Sequence, residues 1–210
     1  MITGIGPATA IGIGKEDFFK SILDMKSHIA PIPEVYEKNY KFKSRYYVPL
    51  PEFELTDYGI HPSVEGMMEQ ISRLSVLCSR LALEDAGITI ERDKKYFKAQ
   101  GFEDAAIIIG VGMSSLETAL KSFLAHIAET DQWKKKNTKS RYNRMVIPML
   151  MPNAACAWVS ILFGIKGPQF TLNASCASGS MAIGEAYRSI LTGRCDAAVT
   201  GGVEALVEKN

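Results

Sequence analysis

Apolar and polar positions along this chain fall into blocks of two kinds, and the order of those blocks sets the fold class. Residues 15–25 carry Phe18, Phe19, Ile22 and Leu23 at helical spacing, which predicts a first helix with one apolar side. Residues 72–86 repeat the pattern, with Leu74, Leu77, Leu81 and Ala82 as the core stripe and Gly87 as the stop. Residues 105–111 form an unbroken, isoleucine-rich apolar run, as expected of a strand buried on both faces. Helical spacing returns over residues 116–127 and again over 153–163, where Gly164 and then Gly167-Pro168 end it. A β-rich stretch runs into Cys176, a further apolar-faced helix follows, and after Gly193 comes a strand over 197–203 that includes Gly201-Gly202. The apolar opening, residues 1–6 running into Pro7, predicts a first strand. Residues 28–66 are broken by Pro31, Pro33, Pro49, Pro51, Gly59, Pro62 and Gly66 and read as an irregular excursion. Strands alternating with helices predict an α/β fold whose sheet is covered on both faces.

Composition narrows this picture more than it adds to it. A chain of 210 residues holds one sizeable core and hardly two. Hydrophobic residues at 47% and charged residues at 22% are ordinary for a globular protein, and a net charge of +1 gives no general pull toward nucleic acid or acidic membrane. Apolar runs are interrupted well before the roughly 18 residues a membrane span needs, and no signal-peptide pattern opens the chain. Cys78, Cys156, Cys176 and Cys195 form no CxxC pair, so reduced thiols in a cytoplasmic setting are expected.

The candidate chemistry centres on Cys176. Small residues follow it before a helix begins, a layout that sets a thiol at a strand end beside the N-terminus of a helix. Unpaired amides there favour negative charge, which suits a thiolate that attacks an acyl carbon, and small neighbours admit a carbonyl close to the backbone. The alternative is an ordinary buried cysteine. Three Gly-x-Gly turns fail the dinucleotide fingerprint, because Thr9, Asp17 and Ser115 stand where its third glycine or alanine belongs. His28, His61 and His126 read as surface or turn residues, no metal-ligand spacing occurs, and no cofactor is expected. Lys134, Lys135, Lys136, Lys139, Arg141 and Arg144, with Trp133 and Tyr142, make a basic loop over about 130–145: either a solvated loop or a docking surface for an acidic partner.

Residues 173–186 resemble the nucleophile segment of the β-ketoacyl-acyl carrier protein synthases, condensing enzymes of the thiolase superfamily. Thr3-Gly4-Ile5-Gly6, the helix ending Glu84-Asp85-Ala86-Gly87, Gly110-Val111-Gly112, Phe163-Gly164, Lys166-Gly167-Pro168 and Gly201-Gly202-Val203-Glu204-Ala205 resemble further family segments in the same order. The resemblance therefore takes in residues 1–210 as one synthase N-terminal domain, with the excursion at about 28–66 and the basic loop inside it. Asn173 and Ala177-Ser178-Gly179 make the segment more similar to the discrete elongating synthases than to modular polyketide synthases.

What the resemblance implies is a thiolase-like fold, N-terminal half, with a mixed five-stranded type of sheet, its last strand and the second half lying outside the chain. It implies an acyltransferase of fatty-acid or polyketide synthesis in which Cys176 takes an acyl chain from acyl carrier protein. Decarboxylative condensation with a malonyl thioester then gives a β-ketoacyl product. The N–H of Cys176 would form half of an oxyanion hole, and Met113 would line the acyl pocket. A homodimer, or a heterodimer with a related subunit, is implied as well, with no nucleic acid or membrane partner. The family's two histidines, its lysine and its phenylalanine-containing glycine loop belong to the second half, so this chain is expected to be inactive in condensation by itself. The rival expectation is a non-catalytic or loading partner subunit.

Overall fold

The computed structural model describes residues 1–34, 38, 41, 43–113, 118–120, 122–124 and 145–205. A hairpin of β1 (Ala8–Thr9) and β2 (Gly12–Ile13) leads into α1 (Lys15–Leu23). The excursion contains a short antiparallel pair, β3 (Ala30–Pro31) with β4 (Tyr46–Tyr47), a 3-10 turn at Leu55–Tyr58 and a one-turn helix, α2 (Pro62–Glu65). Then come α3 (Gln70–Asp85) and a hairpin of β5 (Ile90–Asp93) and β6 (Tyr96–Ala99). The main sheet uses β7 (Ala106–Val111), β8 (Gln169–Leu172) and β9 (Ala198–Val203). Helices α4 (Val146–Leu150) and α5 (Ala154–Phe163) precede β8, and α6 (Ser178–Leu191) joins β8 to β9.

The three sheet strands are parallel, in the order β8-β7-β9. Every residue of β7 is buried, which explains its unbroken apolar run. Its side chains divide by the period of two. Ile107, Ile109 and Val111 join a core with Leu77 of α3 and Val159 and Phe163 of α5, while Ala106 and Ile108 meet Ala182 and Ala186 of α6. Helices thus cover both faces, as the alternation predicts. Among the described residues the main sheet has three parallel strands where the resemblance implies five of mixed direction, and antiparallel pairing is confined to the separate two-stranded ribbons.

Helix α3 begins two residues before the predicted start because Glu69 caps it. The Glu69 carboxylate accepts the N–H groups of Ile71 and Ser72, both at 2.7 Å, and the Ser72 hydroxyl at 2.8 Å. The side chain is buried, and loss of solvent raises its pKa despite those three bonds. Helix α5 stops at Gly164, whose φ of 68° is the left-handed conformation that favours glycine.

One expectation is corrected. Residues 1–6 form no strand. They lie against α3 instead: a Cβ on Gly4 would sit 2.2 Å from the Ala82 carbonyl oxygen, and one on Gly6 would sit 2.1 Å from that of Cys78. Both glycines therefore serve close backbone approach, and the Ile5 N–H donates to Asp85, which also pairs with Lys15. The helix expected over 15–25 is present as α1, but its apolar side is largely uncovered. Phe19, Ile22 and Leu23 are exposed, and Ser21 is the buried residue of that helix. Of the helix expected over 116–127, residues 118–120 and 122–124 are helical and the rest lie outside the described residues.

Candidate active site

The parallel strands end together. Gly110 pairs with Leu172 on one side and with Gly202 on the other, so Gly112, Asn173 and Glu204 emerge side by side at the carboxyl edge. That edge is where parallel α/β sheets place their ligands. From Leu172 the chain turns through residues 173–177 into α6, and Cys176 stands two residues before the first helical residue, Ser178.

Local chemistry holds this turn. Ser175 has a φ of 52°, a conformation that residues with a Cβ adopt reluctantly. Its N–H donates to Asn173 Oδ1 at 3.2 Å, and its carbonyl accepts the Ser178 hydroxyl at 2.6 Å. The Ser178 Oγ in turn accepts the Ala174 N–H at 2.9 Å, and Ser178 is buried. A left-handed residue in front of the cysteine turns the backbone sharply, and Cys176 is exposed.

Glycines bring the start of α6 onto the sheet. A Cβ on Gly110 would lie 2.2 Å from the Ser178 carbonyl carbon, and one on Gly202 would lie 2.8 Å from the Gly179 Cα. Backbone touches backbone at both points, so the position of the helix start, and of the residues just before it, follows from the strands. Further along, the buried face of α6 is Ser178, Ala182, Ala186 and Ser189, all small.

The remaining cysteines sit differently. Cys156 and Cys195 are buried and Cys78 is half-buried; all are free. Burial pushes the Cys78 thiol up to about 11 and also raises that of Cys156, whose Sγ lies 3.2 Å from the Phe170 carbonyl oxygen. The reading of Cys176 as an ordinary buried cysteine therefore does not hold. Met113 follows the end of β7, half-exposed, and its N–H donates to Glu204 Oε2 at 3.1 Å. Glu204 also overhangs Gly112, where a Cβ would be 2.4 Å from that same oxygen. His61 caps α2 by accepting the Ser63 N–H, and His28 is exposed. His126 and the basic loop with Lys134, Lys135 and Lys136 lie outside the described residues. Among the described residues, no group of three or more metal-ligating side chains comes together, and no helix is long and apolar enough to cross a membrane. Glu204, Asn173 and Ser178 are the site residues that periodicity does not single out. Their signal is positional: polar side chains at the carboxyl ends of parallel strands for Asn173 and Glu204, and at the first residue of the following helix for Ser178.

This architecture is the N-terminal half of a thiolase-like fold. Residues 1–210 match the model of the β-ketoacyl synthase N-terminal domain, and the chain belongs to that family. Nodulation protein E of Rhizobium sp. (strain N33) is 30% identical over 208 residues, covering 98% of this chain and 46% of that protein. The 3-oxoacyl-[acyl-carrier-protein] synthase 2 of Synechocystis sp. is 25% identical over 207 residues, covering 99% of this chain and 45% of the relative. A β-ketoacyl synthase from Burkholderia phymatum STM815 superposes with a TM-score of 0.73 at 25% identity, over 98% of this chain and 47% of its own. The chain spans about half the length of the relatives it matches.

Proposed function

We propose that Cys176 is the acyl-accepting nucleophile of a β-ketoacyl-acyl carrier protein synthase and that this chain carries the loading half-reaction. The observation behind this reading is the exposed thiol at the carboxyl edge of the sheet, two residues before α6, on a turn fixed by Ser175 and by glycine contacts. The family membership and the carrier-dependent name of the Synechocystis relative support the donor assignment.

In the loading step the thiolate of Cys176 attacks the carbonyl carbon of an acyl carrier thioester. A carbon–sulfur bond forms to Cys176, the one to the carrier breaks, and the carrier thiolate takes up a proton. The oxyanion of the tetrahedral intermediate would be met by the Cys176 N–H, and the dipole of α6 favours the developing negative charge, while the Ala177 and Ser178 N–H groups are already donated to the Ala174 and Ser175 carbonyls. In the whole synthase, loss of carbon dioxide from a malonyl carrier thioester supplies a carbanion equivalent. It attacks the acyl-enzyme, and Cys176 departs as thiolate. Splitting the condensation this way replaces one difficult step with two easier ones. Met113, at the end of the adjacent strand, would face the alkyl chain and bind it by excluding water. The acyl donor is acyl carrier protein, and the working form is a dimer located in the cytoplasm.

Intact-mass and peptide mass spectrometry after exposure to an acyl carrier thioester test this directly. One acyl group should appear on the Cys176 peptide, and Cys176→Ala should lose it while its circular dichroism stays that of the parent. Equal loading from the coenzyme A thioester would remove the carrier from the reading, and an acyl group that persists in Cys176→Ala would overturn the nucleophile assignment.

A further inference from the structure

A connected set of hydrogen bonds joins the end of β9 to the residue in front of Cys176. The Glu204 carboxylate accepts the Met113 N–H at 3.1 Å and sits over Gly112. The Gly112 carbonyl accepts Asn173 Nδ2 at 2.8 Å, and the other end of the Asn173 amide, Oδ1, accepts the Ser175 N–H at 3.2 Å. Ser175 is the residue in the left-handed conformation. Each partner comes from the carboxyl end of a different strand: Glu204 follows β9, Gly112 and Met113 follow β7, and Asn173 follows β8.

We infer that Asn173 and Glu204 are positioning residues that hold Ser175 left-handed and so fix the direction in which Cys176 is displayed. The physical case rests on what the bonds do. A left-handed serine is unfavourable by itself and persists only where its surroundings impose it. Here the Ser178 hydroxyl and N–H hold the Ser175 carbonyl, and the Asn173 amide holds the Ser175 N–H while its own Nδ2 is anchored on the Gly112 carbonyl. That carbonyl belongs to the Gly112–Met113 peptide, whose N–H is pinned by the Glu204 carboxylate, a stronger acceptor for an amide than a neutral oxygen. An acyl transfer that needs aligned attack is sensitive to displacements near 1 Å, whereas alkylation by a small halide tolerates them. The inference rests on the assignment of Cys176 as the nucleophile.

The test compares Glu204→Ala, Glu204→Gln and Asn173→Ala with the parent by amide-resolved hydrogen exchange, by acyl loading from a carrier thioester and by iodoacetamide alkylation of Cys176. In Glu204→Ala, exchange should rise at least tenfold at Met113 and also at Ser175, two links away, with Ile108 inside β7 unchanged. Gln keeps an acceptor oxygen and should restore protection at both amides. Loading should fall at least tenfold in Glu204→Ala and Asn173→Ala, while alkylation stays within twofold. A Ser175 amide that remains protected in Glu204→Ala sinks the relay, and so does a Gln variant as exposed as Ala. Loading unchanged in a variant whose Ser175 amide has opened overturns the positioning role. A parent that does not load fails the acyl-transfer reading and takes the positioning role with it, an outcome distinct from a broken relay in a parent that loads.

Discussion

Replacing Gly110 with alanine would lift the start of α6 off the sheet, and the size of that movement follows from the geometry. The new Cβ would lie 2.2 Å from the Ser178 carbonyl carbon, 2.3 Å from its oxygen and 2.5 Å from the Gly179 nitrogen. Ordinary contact begins near 3.4 Å, so one of the two backbones must retreat by about 1.2 Å. Strand β7 cannot, because it is buried and bonded to β8 on one side and β9 on the other. The helix start therefore moves, and Cys176 with it. Overpacking of this kind costs about 1–3 kcal/mol, and the upper half of the range applies where the obstacle is backbone rather than a side chain that can turn away. With a urea m-value of about 2 kcal/mol/M, the unfolding midpoint should fall by roughly 1–1.5 M. A displacement near 1 Å at a reacting atom lowers a rate on the order of 100-fold, so acyl loading should drop by about that factor. Urea titration followed by circular dichroism reads the first quantity, and single-turnover loading by mass spectrometry reads the second. A midpoint within about 0.2 M of the parent together with parental loading would refute the clamp, since it would mean that the helix start yields at no cost.

Gly184→Ala, on the same helix, should act in the opposite direction: a Cβ there meets nothing within 4 Å, and removing a helix-interior glycine should raise the unfolding midpoint by the equivalent of about 0.5–1 kcal/mol. Glu69 makes stability depend on pH. Burial holds its carboxyl above the ordinary 4.5, and a carboxyl raised in the folded state favours folding only while protonated, so its contribution is complete below that value and is lost as pH rises through the folded one. The stability of the parent relative to Glu69→Gln should therefore decline as pH climbs from about 4.5, and a difference flat with pH, measured as urea midpoints in a buffer series, would contradict this.

Much of the fold around Cys176 was legible in the sequence. The isoleucine run of β7, the two glycine-stopped helices and the small residues after Cys176 each obey a local rule, and the strand–cysteine–helix order follows from them. Four features resisted for separate physical reasons. The opening residues look like a strand, but a strand exists only by pairing, and their neighbour is the backbone of α3. The apolar side of α1 has the right period for burial, yet periodicity reports which residues share a side and not whether anything covers it. The hairpin of β5 and β6 closes on Lys94-Lys95, with Lys94 at a φ of 56°, and so lacks the Asn-Gly signature by which such turns are read. The bonds linking Glu204, Asn173 and Ser175 span 91, 61 and 2 residues of sequence, and the two long ones obey no period; strand register alone brings them together.

The small-residue face of α6 has a bearing on how the protein can change over time. On the helix side its contact with the sheet is made by glycine, alanine and serine, with Ile108 the one large side chain that β7 sends to it, whereas the opposite face of β7 is packed by Leu77, Val159, Leu162 and Phe163. Large side chains repack and drift in size, but a backbone-to-backbone contact has nothing to exchange. Substitutions among the bulky residues can therefore accumulate on one side of the sheet while the cysteine on the other keeps its place. The geometry at Cys176 is thereby insulated from the core that keeps the chain folded, and the two can diverge at separate rates.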